Sequence, residues 1–502
     1  MRIAVLGGGP GGLFAAALAR QSDPSREVTV FERNRAGDTF GFGVVFSDAT
    51  LAGIHDADPV LRTALTEHGV HWDPIEVRLH GERLSCGGNG MAAVERRTLL
   101  ALLQARAAEV GVDLRFATEA DPLRLLESGY DLVVAADGAN SRLRQAFGEH
   151  FSPTVETAAA KFVWFGTTYP FDGLTFVHER SPHGVFAVHG YPIGTGVSTF
   201  IVETDEASWR AAGLDEFDTT GPPGPSDQKS RSYLEDLFAD QIDGAPLLTN
   251  NSRWGSFRTW RAGRWRHRVG GTAVALLGDA AHTAHFSVGS GTKMAMEDAI
   301  ALVAALDAAP DDSPAAVDAA LVAYEAERQP QVARIQDSAR PSLAWWEHVG
   351  RTYDALPPWQ FAYHFFTRSL PDAKLRRRDA GFVDAAHAAW VAAHGAQPLD
   401  SPLTVAGRRL PGRRVTGADL AGLPVHRVTA PEIEAPVPAL LAALPAGADL
   451  VAVAGGTGHT RRLLTEAARL ERGAVTLLVE DADDDVATTA VLSGRTDLVG
   501  RP

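Results

Sequence analysis

Three glycines near the start of the chain have the spacing of a turn that holds phosphate. Gly7, Gly9 and Gly12 match GxGxxG, with a short apolar stretch before them and an Ala/Leu-rich stretch after them. In such a strand-turn-helix, one glycine makes the bend, one admits a pyrophosphate, and one lets the helix pack on the strand. The positive end of the helix dipole then faces the phosphates. This pattern predicts dinucleotide binding.

An acidic residue follows at the matching distance. Glu32 ends the apolar stretch that begins at Glu27, and it lies about 20 residues beyond Gly12. A carboxylate there accepts hydrogen bonds from the adenosine ribose hydroxyls. We also predict that Arg33, the next residue, contacts the cofactor. At this point the motif suits FAD and NAD equally.

Two later apolar stretches each end in an aspartate. Asp137 follows residues 131–136, and Asp279 follows residues 272–278. Ligands bind at the carboxyl ends of strands in α/β sheets, so the three turns can converge on one extended ligand. A small-residue segment and a long predicted helix come after Asp279 and His282. The candidate cofactor-binding residues in this segment and at the start of the helix are Gly289, Gly291, Thr292 and Lys293.

The three segments GGGPGG with Glu32, DGANSRLR and GDAAHTAHFSVGSGTKMAMEDA resemble the signatures of single-component FAD-dependent aromatic hydroxylases, the class typified by para-hydroxybenzoate hydroxylase. The resemblance implies FAD as the cofactor and NAD(P)H as the co-substrate, without a choice between NADH and NADPH. It implies that Asp137 and Asp279 bind the cofactor, Asp279 at the ribityl chain. It also implies that the 289–293 segment lies beside the flavin pyrimidine ring, and that Arg96, in an Arg-x-x-Leu motif, approaches the cofactor.

A departure from the common pattern points to one branch of this family. His285 and Phe286 stand where many members have two prolines. The string AHTAHFSVGSGTK resembles the branch that hydroxylates aryl-CoA thioesters, namely salicylyl-CoA 5-hydroxylase and the hydroxylase portion of anthraniloyl-CoA monooxygenase. This branch implies O2-dependent hydroxylation of salicylyl-CoA to gentisyl-CoA through a flavin C(4a)-hydroperoxide. The alternatives are anthraniloyl-CoA, a free tryptophan-like or polyketide aromatic, a non-hydroxylating FAD reductase, and a flavin-binding module.

Hydroxylation of a phenol benefits from a group that accepts the phenolic proton. An imidazole titrates near neutral pH and suits this task. The catalytic candidates are His189, His282 and His285.

Aromatic and basic residues are the candidates for substrate binding. We expect Phe286 and Tyr191 to contact the substrate ring. Arg253 and Arg258 belong to an arginine-rich stretch that suits the phosphates of coenzyme A, because guanidinium forks bind phosphate well.

The order of patterns predicts an α/β fold. We expect a Rossmann-like FAD-binding domain with an inserted antiparallel-sheet substrate domain, in which strands cover residues 162–165, 184–189 and 197–203. The predicted parts are the FAD-binding domain (1–75, 95–160 and 270–345), the substrate-binding domain (76–94 and 161–269), a helical segment (346–390) and a C-terminal extension (391–502).

The C-terminal extension resembles the opening and the end of an old yellow enzyme barrel. A complete (β/α)8 barrel needs at least about 200 residues, so we expect a truncated α/β remnant that serves packing or homodimerisation. Strands are predicted at residues 450–455 and 475–480, with a helix between them.

The amino-acid composition limits the classes of partner that the protein can bind. A net charge of −15 over 502 residues argues against nucleic acid and anionic membranes. A single cysteine, Cys86, excludes an internal disulfide, and no metal site is expected. With no signal peptide or membrane-spanning stretch in the sequence, we expect a cytoplasmic protein whose partners are O2 and a small aromatic substrate.

Overall fold

The computed structural model describes residues 1–39, 41–48, 51–219, 224–289 and 291–501. The chain divides into two compact units. The first contains residues 1–73, 90–174 and 188–339, and the second contains residues 74–89, 175–187 and 340–502. No helix among the described residues is both long and apolar enough to cross a membrane.

A six-stranded sheet forms the centre of the first unit. Its inner strands are parallel and almost wholly buried, as expected when helices cover both faces of a sheet. The turns after three of these strands therefore open at the same edge. In spatial order the strands are Arg266–Val269, Thr272–Leu276, Leu132–Ala135, Arg2–Leu6, Glu27–Phe31 and Asp113–Arg115.

Helices pack against this sheet, and their ends follow from local sequence. Pro10 opens the first helix, because proline needs no N–H partner there and its φ suits a helix. The helix Gly291–Asp307 packs beside it. The helices that lie in or begin in this unit are Pro10–Ser22, Ala52–Ala57, Val60–His68, Arg96–Glu109, Pro122–Leu126, Arg142–Ala146, Gly148–Phe151, Glu206–Ala211, Gln228–Leu237, Gly291–Asp307 and Pro314–Glu347.

Antiparallel strands complete the first unit. The strand Pro153–Thr167 pairs with three antiparallel strands, namely Val197–Thr204, Leu247–Leu248 and Gly255–Ala262. The strand Gly184–Gly194 contributes residues to both units. A separate three-stranded sheet contains Gly43–Ser47, Met91–Glu95 and Val70–Trp72. The α/β fold with an antiparallel insertion is confirmed.

One strand start differs from the sequence prediction, and one strand was not predicted. The first antiparallel strand begins at Pro153 rather than at Phe162. Its early residues are mostly exposed and mix polar with small apolar residues, so no apolar–polar alternation marks them as a strand in the sequence. The strand Thr175–Ser181 was not predicted. It buries polar residues such as His178, which hides the usual apolar pattern.

The second unit combines a helical segment with two groups of strands. Ile75–Leu79 pairs with Glu82–Cys86 and with Thr175–Ser181, and a hairpin joins Leu403–Val405 to Arg408–Leu410. The helices that lie wholly within this unit are Val349–Ala355, Pro358–Phe366, Asp372–Arg378, Ala380–His394, Gly417–Leu420, Val437–Ala442, Gly458–Arg472 and Asp484–Leu492.

The C-terminal extension folds around a five-stranded parallel sheet. Its predicted strands are present as Leu450–Ala454 and Val475–Val479. Within this sheet, the strand that comes first in the chain, Arg414–Thr416, pairs with the last, Leu498–Arg501, an arrangement also found where a (β/α)8 barrel closes. Its derivation from such a barrel, and its role in packing or homodimerisation, stay predictions. The spatial order is Arg414–Thr416, Leu498–Arg501, Val475–Val479, Leu450–Ala454 and Val425–Thr429.

A buried ionic cluster fastens this extension to the helical segment of the same unit. His364 Nε2 lies 3.0 Å from Glu466 Oε2, and Arg495 donates to the His364 carbonyl at 2.7 Å. Burial lowers the pKa of His364 to about 4. Burial also opposes ionisation of Glu466, but His364 and Arg495 offset this and lower its pKa to about 2. The extension is therefore held by charged side chains as well as by apolar packing.

Candidate active site

The first glycine turn is closed on the side of the sheet and open on the other. Gly7 has a φ of 106°, and a Cβ added there would lie 2.2 Å from the Ala136 carbonyl oxygen. A Cβ on Gly12 would lie 2.2 Å from the Gly7 carbonyl oxygen. In contrast, a Cβ on Gly9 would meet nothing within 4 Å. The open side faces the N-terminus of the helix Pro10–Ser22, where an anion is favoured.

Glu32 is fixed by this turn. Its Oε2 accepts from the Gly8 N–H at 2.8 Å, and its Oε1 accepts from both the backbone and the side chain of Asn34 at 2.8 Å. Oε2 keeps lone-pair capacity for a ligand hydroxyl, whereas the two bonds from Asn34 use both lone pairs of Oε1. Arg33 beside it is exposed.

The turn after the strand Leu132–Ala135, which contains Asp137, is joined by an arginine to the turn after the strand Thr272–Leu276, which contains Asp279. Asp137 Oδ2 accepts from the Arg142 N–H at 2.8 Å, while its Oδ1 is buried and has no partner among the described residues. Arg144 is buried, donates to the Ala280 carbonyl at 2.7 Å, and lies 4.1 Å from the Trp260 ring centroid. Asp137 and the Asp279 turn are therefore held in a fixed relation.

Asp279 and Arg96 lie close enough to interact electrostatically. The Asp279 side chain remains accessible to solvent although protein surrounds it. The surrounding protein raises the pKa of its carboxyl by burial, and His282 and Arg96 oppose that effect. Burial lowers the pKa of Arg96, with Tyr191 and Asp279 acting in the opposite sense. The Nε atom of Arg96 is buried without a hydrogen-bond partner in the described part of the chain. Both side chains are thus positioned to meet a ligand.

His282 lies in a network that fixes the Asp279 turn. Its Nε2 lies 2.7 Å from Asp298 Oδ2, which also accepts from the Gly278 N–H at 3.0 Å. Arg328 Nε donates to the other oxygen of Asp298 at 2.8 Å. Burial disfavours ionisation of Asp298, but His282 and Arg328 outweigh it and lower the pKa of this carboxyl. These contacts give His282 a role in positioning the turn.

His189 and His285 meet on one buried carboxylate. His189 Nε2 lies 2.6 Å from Glu203 Oε2, and His285 Nε2 lies 3.2 Å from Glu203 Oε1. Burial alone would raise the pKa of Glu203, but the two imidazoles lower it to about 2. Ser287 occupies the other nitrogen of His285, with its Oγ 2.7 Å from Nδ1. The structure thus joins two of the three histidine candidates and adds Glu203.

Phe286 is the centre of an aromatic cluster next to these histidines. It lies within 6.2 Å, between ring centroids, of five other rings. These belong to Phe162, Trp164, His189, Phe257 and His285. Tyr191 packs on Trp72 in the same apolar cluster, and burial raises its pKa to about 12. The cluster offers flat apolar surfaces suited to an aromatic ring.

The two arginine candidates lie in different places. Arg253 donates to the Thr219 carbonyl at 3.4 Å, whereas Arg258 donates to the Asn140 side chain at 2.9 Å. Arg258 is adjacent in its strand to Phe257 and so points to the opposite face of the sheet from Phe286. Three other arginines of this stretch, Arg261, Arg266 and Arg268, pair with acidic residues of the long helix Pro314–Glu347.

The segment after Phe286 leads into a helix. Gly289 has a φ of 61°, and the helix begins at Gly291, where an added Cβ would meet nothing within 4 Å. Thr292 lies in the first turn of this helix, and Lys293 forms an ion pair with Glu297. Ser290 lies outside the described residues.

The donor set fits FAD. Two helices begin at or directly after a glycine, Gly291 and Gly9, where an added Cβ would meet nothing within 4 Å, and such N-termini suit an anionic ring and a pyrophosphate. Glu32 and Asp279 suit ribose and ribityl hydroxyls. The unpartnered atoms of Asp137 and Arg96 add a buried acceptor and a buried donor on the same unit. Buried polar groups normally have partners, so these atoms indicate that a polar ligand completes the site.

Comparison with known proteins decides the family. A family model described as FAD binding domain matches residues 1–339. The chain belongs to this FAD-binding family. FAD is therefore its cofactor, and the resemblance of the three turns is confirmed.

Several relatives of this FAD-binding family are similar to the chain. Salicyloyl-CoA 5-hydroxylase of Streptomyces sp is 55% identical over all of this chain and 99% of that protein. The 3-hydroxy-4-methyl-anthranilyl-[aryl-carrier protein] 5-monooxygenase of Streptosporangium sibiricum is 38% identical over 70% of this chain and 90% of that protein. Among solved structures, CtdE in complex with FAD and a substrate has a TM-score of 0.55 at 17% identity, over 74% of this chain and 98% of that one. That likeness shows the fold.

Sequence reasoning missed several residues of this site. The sequence pattern marks Glu203 only as a residue of a predicted strand, and it marks neither Phe257 nor Asp298. The signal available for Glu203 was an acid directly after three apolar residues of a predicted strand, since an acid that becomes buried there is seldom unpaired. Nothing local in the sequence marks Asp298 as the partner of His282.

Proposed function

We propose that the protein hydroxylates salicyloyl-CoA at ring position 5 to give gentisyl-CoA, with NAD(P)H and O2 as co-substrates. The observation that carries this proposal is the 55% identity, over the whole chain, with a salicyloyl-CoA 5-hydroxylase. The reaction class, flavin-dependent aromatic hydroxylation, is common to its monooxygenase relatives. The aromatic cluster around Phe286 agrees with a flat aryl substrate.

The residues of the three turns would hold the cofactor. Gly9 and Glu32 would bind its pyrophosphate and ribose, while Asp137, Asp279 and Arg96 would bind its remaining polar groups. Bound FAD, once reduced by NAD(P)H, supplies the chemistry that activates O2. Arg96 and the helix that begins at Gly291 provide positive potential, which favours an anionic reduced cofactor.

The residues that bind the substrate would act mainly by positioning its aromatic ring and by excluding water. Phe257 and Phe286 would hold the ring, and their apolar surface would keep water from the reacting atoms. This arrangement needs an electron-rich ring, so a hydroxyl or amino substituent is expected to be required.

A carrier-bound aryl group is the second candidate. The 38% identical relative acts on an anthranilyl group attached to an aryl-carrier protein. Both relatives act on aryl groups attached to a large carrier, which favours an attached ring over a free acid.

The reaction is tested by NAD(P)H oxidation and product mass with salicyloyl-CoA, anthraniloyl-CoA, benzoyl-CoA and free salicylate. We expect hydroxylated product and strong stimulation with salicyloyl-CoA, little with benzoyl-CoA, and weak turnover of free salicylate. Equal turnover of free salicylate and its thioester would contradict the proposal. Preferential turnover of anthraniloyl-CoA would move the assignment to that thioester.

Neutralising one arginine is expected to separate the thioester from the free acid. Arg253→Gln should raise KM for salicyloyl-CoA about tenfold, because an arginine–phosphate contact contributes about 1.5–3 kcal/mol, and leave KM for free salicylate nearly unchanged. Arg261→Gln is the matched control, since Arg261 pairs with Asp337 at 3.2 Å. Steady-state kinetics with both substrates measure this. Parallel rises in both KM values would show that Arg253 does not bind the coenzyme A part.

A further inference from the structure

We propose that Gln336, on the long helix Pro314–Glu347, is a positioning residue for hydroxylation. It fixes the relative position of Phe257 and Phe286, the two rings against which we expect the substrate ring to lie. Their ring centroids lie 6.2 Å apart with an angle of 73° between the ring planes, so the two rings form one apolar wall. The inference rests on the proposed function, because it needs an aryl substrate on this wall.

The segment that leads to Phe286 is bound at Thr283 to the strand Gly255–Ala262, which carries Phe257. The Thr283 N–H donates to the Trp260 carbonyl at 3.1 Å, and the Thr283 Oγ1 accepts from the Trp260 N–H at 2.8 Å. Phe286 follows only three residues later. The geometry at Thr283 therefore sets where Phe286 lies relative to Phe257.

Gln336 fixes this junction from the side of the helix. Its side-chain Nε2 donates to the Trp260 carbonyl at 2.9 Å and to the Thr283 carbonyl at 2.8 Å. An amide nitrogen carries two N–H groups, so one is available for each carbonyl. Gln336 and Thr283 are only 4% and 5% exposed, so solvent does not replace these bonds. One side chain thus joins the strand of Phe257 to the segment of Phe286.

The position of this wall decides what becomes of the oxygen. Two electrons from NAD(P)H reduce each O2 molecule. In a productive turnover one oxygen atom enters the ring and the other leaves as water. When the ring is out of reach, both oxygen atoms leave as hydrogen peroxide, and NAD(P)H is consumed without hydroxylated product. Gln336 therefore acts on the amount of product formed per NAD(P)H, through the place at which the ring is held.

This effect differs from that of a residue that only stabilises the fold. Loss of a stabilising contact lowers the fraction of folded protein, but each folded molecule still forms the same amount of product per NAD(P)H. Loss of a positioning contact lowers the product per NAD(P)H in the folded molecules themselves. The ratio of product to NAD(P)H, measured per bound FAD, separates the two roles.

The substitution Gln336→Met tests the inference. Methionine is unbranched and adapts its shape to a buried site, but it has no hydrogen-bond donor. Hydroxylated product and hydrogen peroxide are measured per NAD(P)H oxidised, with salicyloyl-CoA as the substrate. We expect product per NAD(P)H to fall at least about twofold, with a matching rise in peroxide, because a misplacement of about 1 Å can slow a reaction about 100-fold.

Gln329→Met is the matched control. Gln329 lies seven residues earlier on the same helix, about two turns away and on the same face. Its Nε2 donates to the Gly263 carbonyl at 3.1 Å, just beyond the end of the strand that carries Phe257. It makes no bond to Thr283, so this variant should form as much product per NAD(P)H as the wild type.

A second variant covers the case in which Gln336→Met fails to fold. Gln336→Asn keeps an amide that is one methylene shorter, which weakens its hold on the two carbonyls, and it should also lower product per NAD(P)H. An unchanged ratio in the folded variants overturns the inference, and so does an equal fall in Gln329→Met. The proposed function is judged on the wild type alone. A wild-type enzyme that hydroxylates no aryl-CoA thioester overturns that function, and the inference with it.

Discussion

Replacing Gly12 with alanine is expected to lower the free energy of unfolding by about 3 kcal/mol, the upper end of the usual cost of overpacking. The added Cβ would lie 2.2 Å from the Gly7 carbonyl oxygen, and backbone cannot move aside as a flexible side chain does. Urea unfolding of the purified protein measures the change. Gly37→Ala is the control, because a Cβ there meets nothing within 4 Å and the residue is exposed.

The substitution Gly9→Ala in the same turn should leave the stability of the FAD-free protein unchanged and weaken the binding of FAD. A Cβ on Gly9 meets no protein atom within 4 Å, so the stability of the FAD-free protein should not change. If the open side of the turn receives the pyrophosphate, FAD affinity should fall by at least about tenfold, or about 1.4 kcal/mol. Titration of the FAD-free protein with FAD measures this. Wild-type affinity in Gly9→Ala would mean that the phosphates bind elsewhere.

Replacing Asp298 with asparagine is expected to cost about 3 kcal/mol, because it removes the carboxylate 2.8 Å from the buried Arg328 guanidinium and leaves only Glu297, at 3.2 Å, as its charge partner. Both side chains are almost fully buried, at 0% and 3% exposure, so solvent cannot compensate. The loss should also release the Asp279 turn, since Asp298 accepts from the Gly278 N–H. Thermal unfolding and FAD content of the purified variant measure the two effects. Asp337→Asn, which affects an exposed ion pair, should cost less than about 1 kcal/mol.

The same substitution predicts a pH dependence with a definite sign. The pKa of Asp298 is lowered in the folded protein from its ordinary value of 3.8, so its charge stabilises the fold above that pH. This contribution is lost as pH falls through the lower, folded pKa. The difference in stability between wild type and Asp298→Asn should therefore be largest above pH 3.8 and shrink below it. A constant difference across this range would show that packing, not charge, causes the loss.

The parts of the fold that local chemistry dictates were predictable from sequence. Gly7 and Gly12 have no room for a side chain, so the requirement for glycine is visible in the residues themselves. The same holds for the aspartates that end buried strands, and for the strands and helix between residues 450 and 480. In each case the signal and the constraint lie within a few neighbouring residues.

The parts that depend on distant partners were not predictable. Glu203 becomes significant only because His285, which is remote in sequence, reaches its second oxygen. Likewise, the arginine-rich stretch that suits phosphate in the sequence includes Arg261, Arg266 and Arg268, and in the structure the long helix supplies an acid for each of these three. Charge and aromatic contacts of this kind are set by tertiary packing, which a single sequence does not display.

The parallel sheet of the first unit has a consequence for how the protein is made. Leu132–Ala135 lies between Arg2–Leu6 and Thr272–Leu276, so one of its neighbours is synthesised long after the other. Until residue 276 leaves the ribosome, the nascent chain exposes an apolar strand edge, which invites aggregation and binding by chaperones. Asp279 follows directly after that strand. The three turns that would hold FAD are therefore complete only after residue 279 has been synthesised, more than halfway along the chain of 502 residues.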